Sequence, residues 1–210
     1  MPILKSAKIN KKSTYAIWEI TESVDQLIEL VKNTPNVKLP DTDVTNKIKQ
    51  AEWMAGRLLL SSLVEGLGEQ YPGIYKDEFG KPHLKDIDLH ISLSHSYPLV
   101  AAIIRDSPVG IDVEQPKEKL RNIATRFLSE REQNECGGNV DLLCTFWCAK
   151  EALYKLYGKK KLIFKENLAV NYQEEDGVID LSGKVIVNGS SETYQLQVEK
   201  VKNSLLVFTL

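Results

Sequence analysis

The sequence predicts an α+β fold in two lobes, and three observations carry that prediction. Apolar residues recur at helical spacing in one long stretch of each half, from Asp43 onward and again from Asn139 to Gly158. Short runs rich in β-branched and apolar residues follow each of those helices. The runs are punctuated by pairs such as Asp176-Gly177 and Asn188-Gly189, which close antiparallel hairpins. One long helix packed on a small antiparallel sheet is therefore expected in each half, with a boundary at Asp106 giving lobes 1–106 and 107–210. No linker-like or low-complexity segment separates them, so two intimate lobes of one unit are expected.

Along the chain, residues 12 to 20 alternate as a strand and 21 to 32 read as a short amphipathic helix. Val44, Ile48, Ala51, Ala55, Leu58, Leu59 and Leu63 then mark the first long helix, with Asp41 to Asp43 offering caps and Gly66 and Gly68 a stop. Residues 71 to 90 are full of turn formers and read as an irregular surface segment. Leu89 to Leu93, Leu99 to Arg105 and Val109 to Glu114 suggest an antiparallel meander. A short helix over 120–127, a helix start at Ser129 and the long helix capped by Asn139 follow. Six strand-like runs complete the chain: 162–164, 168–172, 178–181, 184–187, 194–200 and 205–210.

Composition narrows the function. The 210 residues are 42% hydrophobic and 27% charged, with 27 basic and 29 acidic side chains. A net charge of −2 leaves no polycationic surface for nucleic acid. No apolar run approaches the ~20 residues of a membrane span, and the first residues lack a signal-peptide core, so a cytoplasmic protein without membrane contact is expected. Cys136, Cys144 and Cys148 have no Cys-x-x-Cys spacing, which argues against disulfides and structural zinc. The i,i+4 pair Cys144 and Cys148 reads as helix packing.

Chemistry enters with Val109-Gly110-Ile111-Asp112-Val113-Glu114. A strand of period two sends both carboxylates to one face, where they repel unless water or a cation intervenes, and hard oxygen ligands suit Mg²⁺. The alternative is an ordinary solvated strand face. On the second long helix Trp147, Glu151 and Lys155 share a stripe. Glu151 and Lys155 form the favoured surface pair of many exposed helices, yet the Trp points to a partly buried face. Lys150, about 100° away, reads as a surface or partner-contact residue. Ser129 and Glu132 fit a capping box, the reading the spacing favours over a functional acid. Ser94 and His95 stand at a turn between strands, where a His serves as phosphate donor, acid/base or bystander.

Taken together, Phe79-Gly80-Lys81-Pro82, Ile91-Ser92-Leu93-Ser94-His95-Ser96, the Gly110 to Glu114 run, Arg126-Phe127-Leu128-Ser129 with Glu132, and Phe146-Trp147-Cys148-Ala149-Lys150-Glu151-Ala152-Leu153-Tyr154-Lys155 resemble the 4′-phosphopantetheinyl transferases of the monomeric, surfactin-synthetase type. The resemblance implies a cytosolic enzyme of two pseudo-symmetric lobes with coenzyme A between them. The implied reaction is Mg²⁺-dependent transfer of 4′-phosphopantetheine to a serine of an acyl or peptidyl carrier protein, with release of 3′,5′-ADP.

Asp112, Glu114 and Glu151 match the family's metal ligands, and on that basis Glu151 is expected to act as general base and Lys155 to stabilise the departing 3′,5′-ADP. Lys81, Ser94 and His95 match nucleotide and 3′-phosphate contacts. Lys155 matches the lysine at the pyrophosphate, with Asp112 also against coenzyme A, and Glu132 matches a further acid near the metal. Glu52 departs from relatives that carry an arginine there. Arg57, in the Ala55-Gly56-Arg57 form, is an alternative phosphate contact or a surface residue. Lys117, Lys119, Arg121 and Arg126 are candidates for a carrier-facing patch. A metal-dependent nuclease or phosphohydrolase, and a non-catalytic carrier-binding module, are the rival readings.

Overall fold

Both periodicities in the sequence are realised. A computed structural model describes residues 3–159 and 161–210. The chain divides into two units, Met1–Pro108 and Val109–Leu210, each mixed α+β with antiparallel sheets.

In the first unit, β1 (Ile3–Asn10) and β2 (Ser13–Glu19) precede α1 (Val24–Lys32) and α2 (Lys47–Gly66). A short hairpin, β3 (Ile74–Lys76) and β4 (Pro82–Leu84), then leads to β5 (His90–Ser96) and β6 (Leu99–Arg105). The main sheet runs β1-β2-β6-β5. Helix α2 lies on it because Ala51, Met54, Ala55, Leu58 and Leu59 fall on one buried stripe facing Trp18, Ile91, Val100 and Ala102. Fully buried side chains such as Leu27, Met54 and Leu59 each contribute about 1.5–3 kcal/mol. The helix starts at Asn46, whose side chain accepts from the Lys49 N–H, not at Asp41 to Asp43 as expected. Lys, Ser and Asn residues on β1 leave it mostly exposed, so alternation does not reveal it.

In the second unit, β7 (Ile111–Glu114) is followed by α3 (Lys119–Phe127), α4 (Glu130–Cys136), α5 (Val140–Tyr157) and α6 (Phe164–Asn167). Strands β8 (Leu168–Glu175), β9 (Val178–Val187), β10 (Ser190–Val201) and β11 (Ser204–Thr209) complete a sheet ordered β7-β11-β10-β9-β8. Asn139 caps α5 through its side chain, and Gly158, at φ 72°, ends it in the left-handed region. Asp176-Gly177 and Asn188-Gly189 both take positive φ and close the predicted hairpins. Helix α5 covers this sheet through Phe146, Ala149, Ala152 and Leu153.

Three further expectations are corrected. The meander stops at β6: strand β7 pairs with β11, Asp112 opposite Val207, and belongs to the second unit's sheet. Short apolar runs advertise a strand without naming its partner, and here the partner lies almost a hundred residues downstream. Residues 162–164 form no strand, and Phe164 instead opens the one-turn helix α6. The irregular segment holds the β3–β4 hairpin, whose strands are too short to show a period. No described helix is long and apolar enough to cross a membrane.

Candidate active site

In the second unit, β7 delivers the acidic pair as its alternation requires. Ile111 and Val113 are buried in the core, while Asp112 and Glu114 share the other face. What brings α5 against that strand is Gly110. A Cβ on this residue would stand 1.8 Å from the Ala152 carbonyl oxygen and 2.9 Å from the Leu156 nitrogen, so helix and strand meet backbone to backbone. Glu151 and Lys155 flank this contact on α5. Lys155 Nζ spans to β7, donating to Asp112 Oδ1 at 2.7 Å and to the Ile111 carbonyl at 3.0 Å.

Glu151 is partly buried, and that burial, together with the negative charges of Asp112 and Glu114, pushes its carboxyl up to about 7 against the pull of Lys155. The field at Glu151 is therefore net negative, the setting in which a divalent cation fits and carboxylate oxygens suit Mg²⁺. As they stand, no three ligating side chains among the described residues are gathered closely enough to enclose an ion, and Lys155 takes one Asp112 oxygen.

Lys150 corrects the sequence reading outright. It is fully buried, and its Nζ donates to Glu132 Oε2 at 2.8 Å, to the Phe127 carbonyl at 2.8 Å and to the Phe164 carbonyl at 3.2 Å. Helix α5 buries residues through most of its circumference, so an angle of 100° from Glu151 points into the protein and not out of it. Glu132 is its counter-ion and also completes the predicted capping box. Its Oε2 accepts from the Ser129 N–H and hydroxyl, and its Oε1 from the Val170 N–H at 2.8 Å. Those partners account for both oxygens. Desolvation lowers the Lys150 pKa, opposed by Glu132. Cys136, Cys144 and Cys148 are buried free thiols, and Cys144 and Cys148 pack in the core as their spacing predicts. Of the basic candidates on and before α3, Arg121 is held by Glu118 and the Gly138 carbonyl.

The first unit contributes a separate cleft of about 510 Å³, lined by Lys49, Glu52, Trp53, Arg57, Ser94 and His95 among others. Gly80 and Pro82 line it too, and Lys81 stands between them. The turn that carries Lys81 is held by Asp77, whose Oδ1 accepts from the Phe79 and Lys81 N–H groups and whose Oδ2 meets His83 Nε2 at 3.0 Å. Arg57 is no surface arginine: its guanidinium lies over the Trp53 ring, donates to the Trp53 carbonyl, and is lowered to about 10 by burial. It also lines a neighbouring cavity of about 280 Å³ with Lys38, Asp41 and Tyr71. Sequence reasoning passed over Glu52 as a site residue, although an acid at a buried position of an apolar helix stripe is itself a signal.

Comparison with known proteins matches residues 108–198 to the family model of the 4′-phosphopantetheinyl transferase superfamily. A 4′-phosphopantetheinyl transferase of Bacillus subtilis is 28% identical over 107 residues, covering 48% of this chain and 48% of that protein. The gsp protein of Aneurinibacillus migulanus, of the same name, is 37% identical over 89 residues, covering 40% and 37%. The 4′-phosphopantetheinyl transferase AcpT of Salmonella typhimurium is 32% identical over 133 residues, 58% of this chain and 67% of AcpT. The chain belongs to the 4′-phosphopantetheinyl transferase superfamily.

The chain spans about half the length, or less, of the Bacillus and Aneurinibacillus relatives and two thirds of AcpT. The superfamily match begins at Pro108 and takes in β7 and α5, so every residue of the acidic group and its lysine lies inside it.

Proposed function

We propose that this chain transfers 4′-phosphopantetheine from coenzyme A to a serine of an apo acyl or peptidyl carrier protein, releasing 3′,5′-ADP. The observation that carries the reading is the group of Asp112, Glu114, Glu151 and Lys155, inside the stretch that matches a superfamily named for this transfer. Asp112, Glu114 and Glu151 would hold Mg²⁺, which when bound offsets negative charge on the pyrophosphate.

The remaining steps fall to side chains. Glu151 takes the proton of the attacking serine hydroxyl, directly or through a water. The serine oxygen bonds to the β-phosphorus, the bond from that phosphorus to the bridging oxygen breaks, and the electron pair leaves with 3′,5′-ADP. Lys155 exchanges Asp112 for the departing phosphate and stabilises it. Lys81, Ser94, His95 and Arg57 bind the nucleotide end of coenzyme A, a reading supported by the basic and aromatic lining of the cleft in the first unit.

Incubation of the chain with coenzyme A, Mg²⁺ and an apo carrier protein should add the mass of phosphopantetheine to the carrier. Unimpaired transfer by Asp112→Ala and Glu151→Ala variants would sink the assignment. Cleavage of plasmid DNA under the same conditions would favour the nuclease alternative. Carrier binding indifferent to coenzyme A and metal would favour the binding module.

A further inference from the structure

The transfer reading uses His95 and leaves the acid beside it unexplained. Glu52 is 4% exposed, on the stripe of α2 that also buries Ala51, Met54 and Ala55. An ionised carboxylate at that depth is costly unless paired and hydrogen-bonded. Its pairing is specific. Oε1 accepts from the Tyr97 N–H at 3.2 Å, at the turn joining β5 to β6. Oε2 accepts from Lys49 Nζ at 2.7 Å and faces His95 Nδ1 at 3.2 Å. Lys49 neutralises the carboxylate, the Tyr97 contact ties α2 to the turn, and the third contact reaches a half-exposed imidazole that lines the cleft.

We propose that Glu52 is a positioning residue that acts through His95, on the reading of this cleft as the nucleotide site of coenzyme A. A carboxylate at Nδ1 keeps the hydrogen on that nitrogen and fixes the ring plane. The opposite nitrogen, Nε2, is then the one that meets the ligand. Once protonated it is a charge-assisted donor to a phosphate oxygen, while Glu52 balances the imidazolium from behind. A merely structural Glu52 would anchor Lys49 and Tyr97 and leave the tautomer of His95 unconstrained.

Two measurements on the full chain separate these roles. Long-range proton–nitrogen spectra of ¹⁵N-histidine-labelled wild type, at ~pH 9 where imidazole is neutral, should show His95 carrying its hydrogen on Nδ1, with His95→Gln identifying the signal. A dominant Nε2–H form, the one free imidazoles favour, overturns the proposal without recourse to any Glu52 variant. Calorimetric titration with coenzyme A should show about tenfold weaker binding for Glu52→Gln. The double variant Glu52→Gln/His95→Ala should bind no more weakly than His95→Ala alone. Losses that add would assign Glu52 a structural role and overturn the proposal. Failure of the wild type to bind coenzyme A would take down the reading of the cleft, whereas the tautomer result bears on Glu52 alone.

Discussion

Glu151 has a cost in stability that can be measured apart from catalysis. Its folded-state carboxyl lies at about 7 against an ordinary glutamate value of 4.5, because burial and the charges of Asp112 and Glu114 disfavour ionisation. A raised acid binds its proton more tightly in the folded chain than in the unfolded one. Its contribution to stability is therefore full below 4.5, declines as pH rises to about 7, and is lost above. At about 1.4 kcal/mol per tenfold, that interval corresponds to about 3 kcal/mol, an upper bound because Glu151 keeps some contact with water. Glutamine mimics the protonated acid. Glu151→Gln should thus raise the unfolding free energy of the metal-free protein by up to ~3 kcal/mol at ~pH 8 and by nearly nothing at ~pH 4, in urea titrations. The same variant should lose transfer activity, and excess Mg²⁺ should stabilise the wild type more than the variant. Equal unfolding energies at both pH values would refute the electrostatic account of the site.

Two further substitutions probe the scaffold. Lys150→Met strands Glu132 as a buried charge and should cost about 3–5 kcal/mol in urea unfolding, with part of the loss recovered by adding Glu132→Gln, which removes the charge and keeps an acceptor for the Ser129 and Val170 N–H groups. Gly110→Ala drives a methyl into the Ala152 carbonyl and should lower the melting temperature by an amount equivalent to about 1–3 kcal/mol, with transfer falling further than stability because α5 is pushed off β7.

The sequence was most informative where one element carries its own code. Asn139 and Gly158 bound α5, the Asp176-Gly177 and Asn188-Gly189 pairs close their hairpins, and Ser129 with Glu132 form the capping box. Each depends on side chains within four residues of one another. It was least informative where an outcome depends on distant partners. The period of β7 shows two carboxylates on one face but not that its neighbour is β11, and helical spacing relates Lys150 to Glu151 without saying which sector is buried. Glu52 shows the same limit: its three partners lie on its own helix, on β5 and in a turn forty-five residues away. Lys150 reads as a surface or partner-contact residue until the fold reveals that its partner, Glu132, belongs to another helix.

That partner has a consequence for how the second unit comes apart. One carboxylate, Glu132, starts α4, neutralises the lysine of α5 and holds the first residues of β8 through Val170. Fraying of α4 from its end would leave the lysine of α5 without its counter-ion and β8 without an acceptor in the same event. The short helix cannot melt by itself, so its amide hydrogens should exchange together with those around Lys150 and Val170, as one cooperative unit.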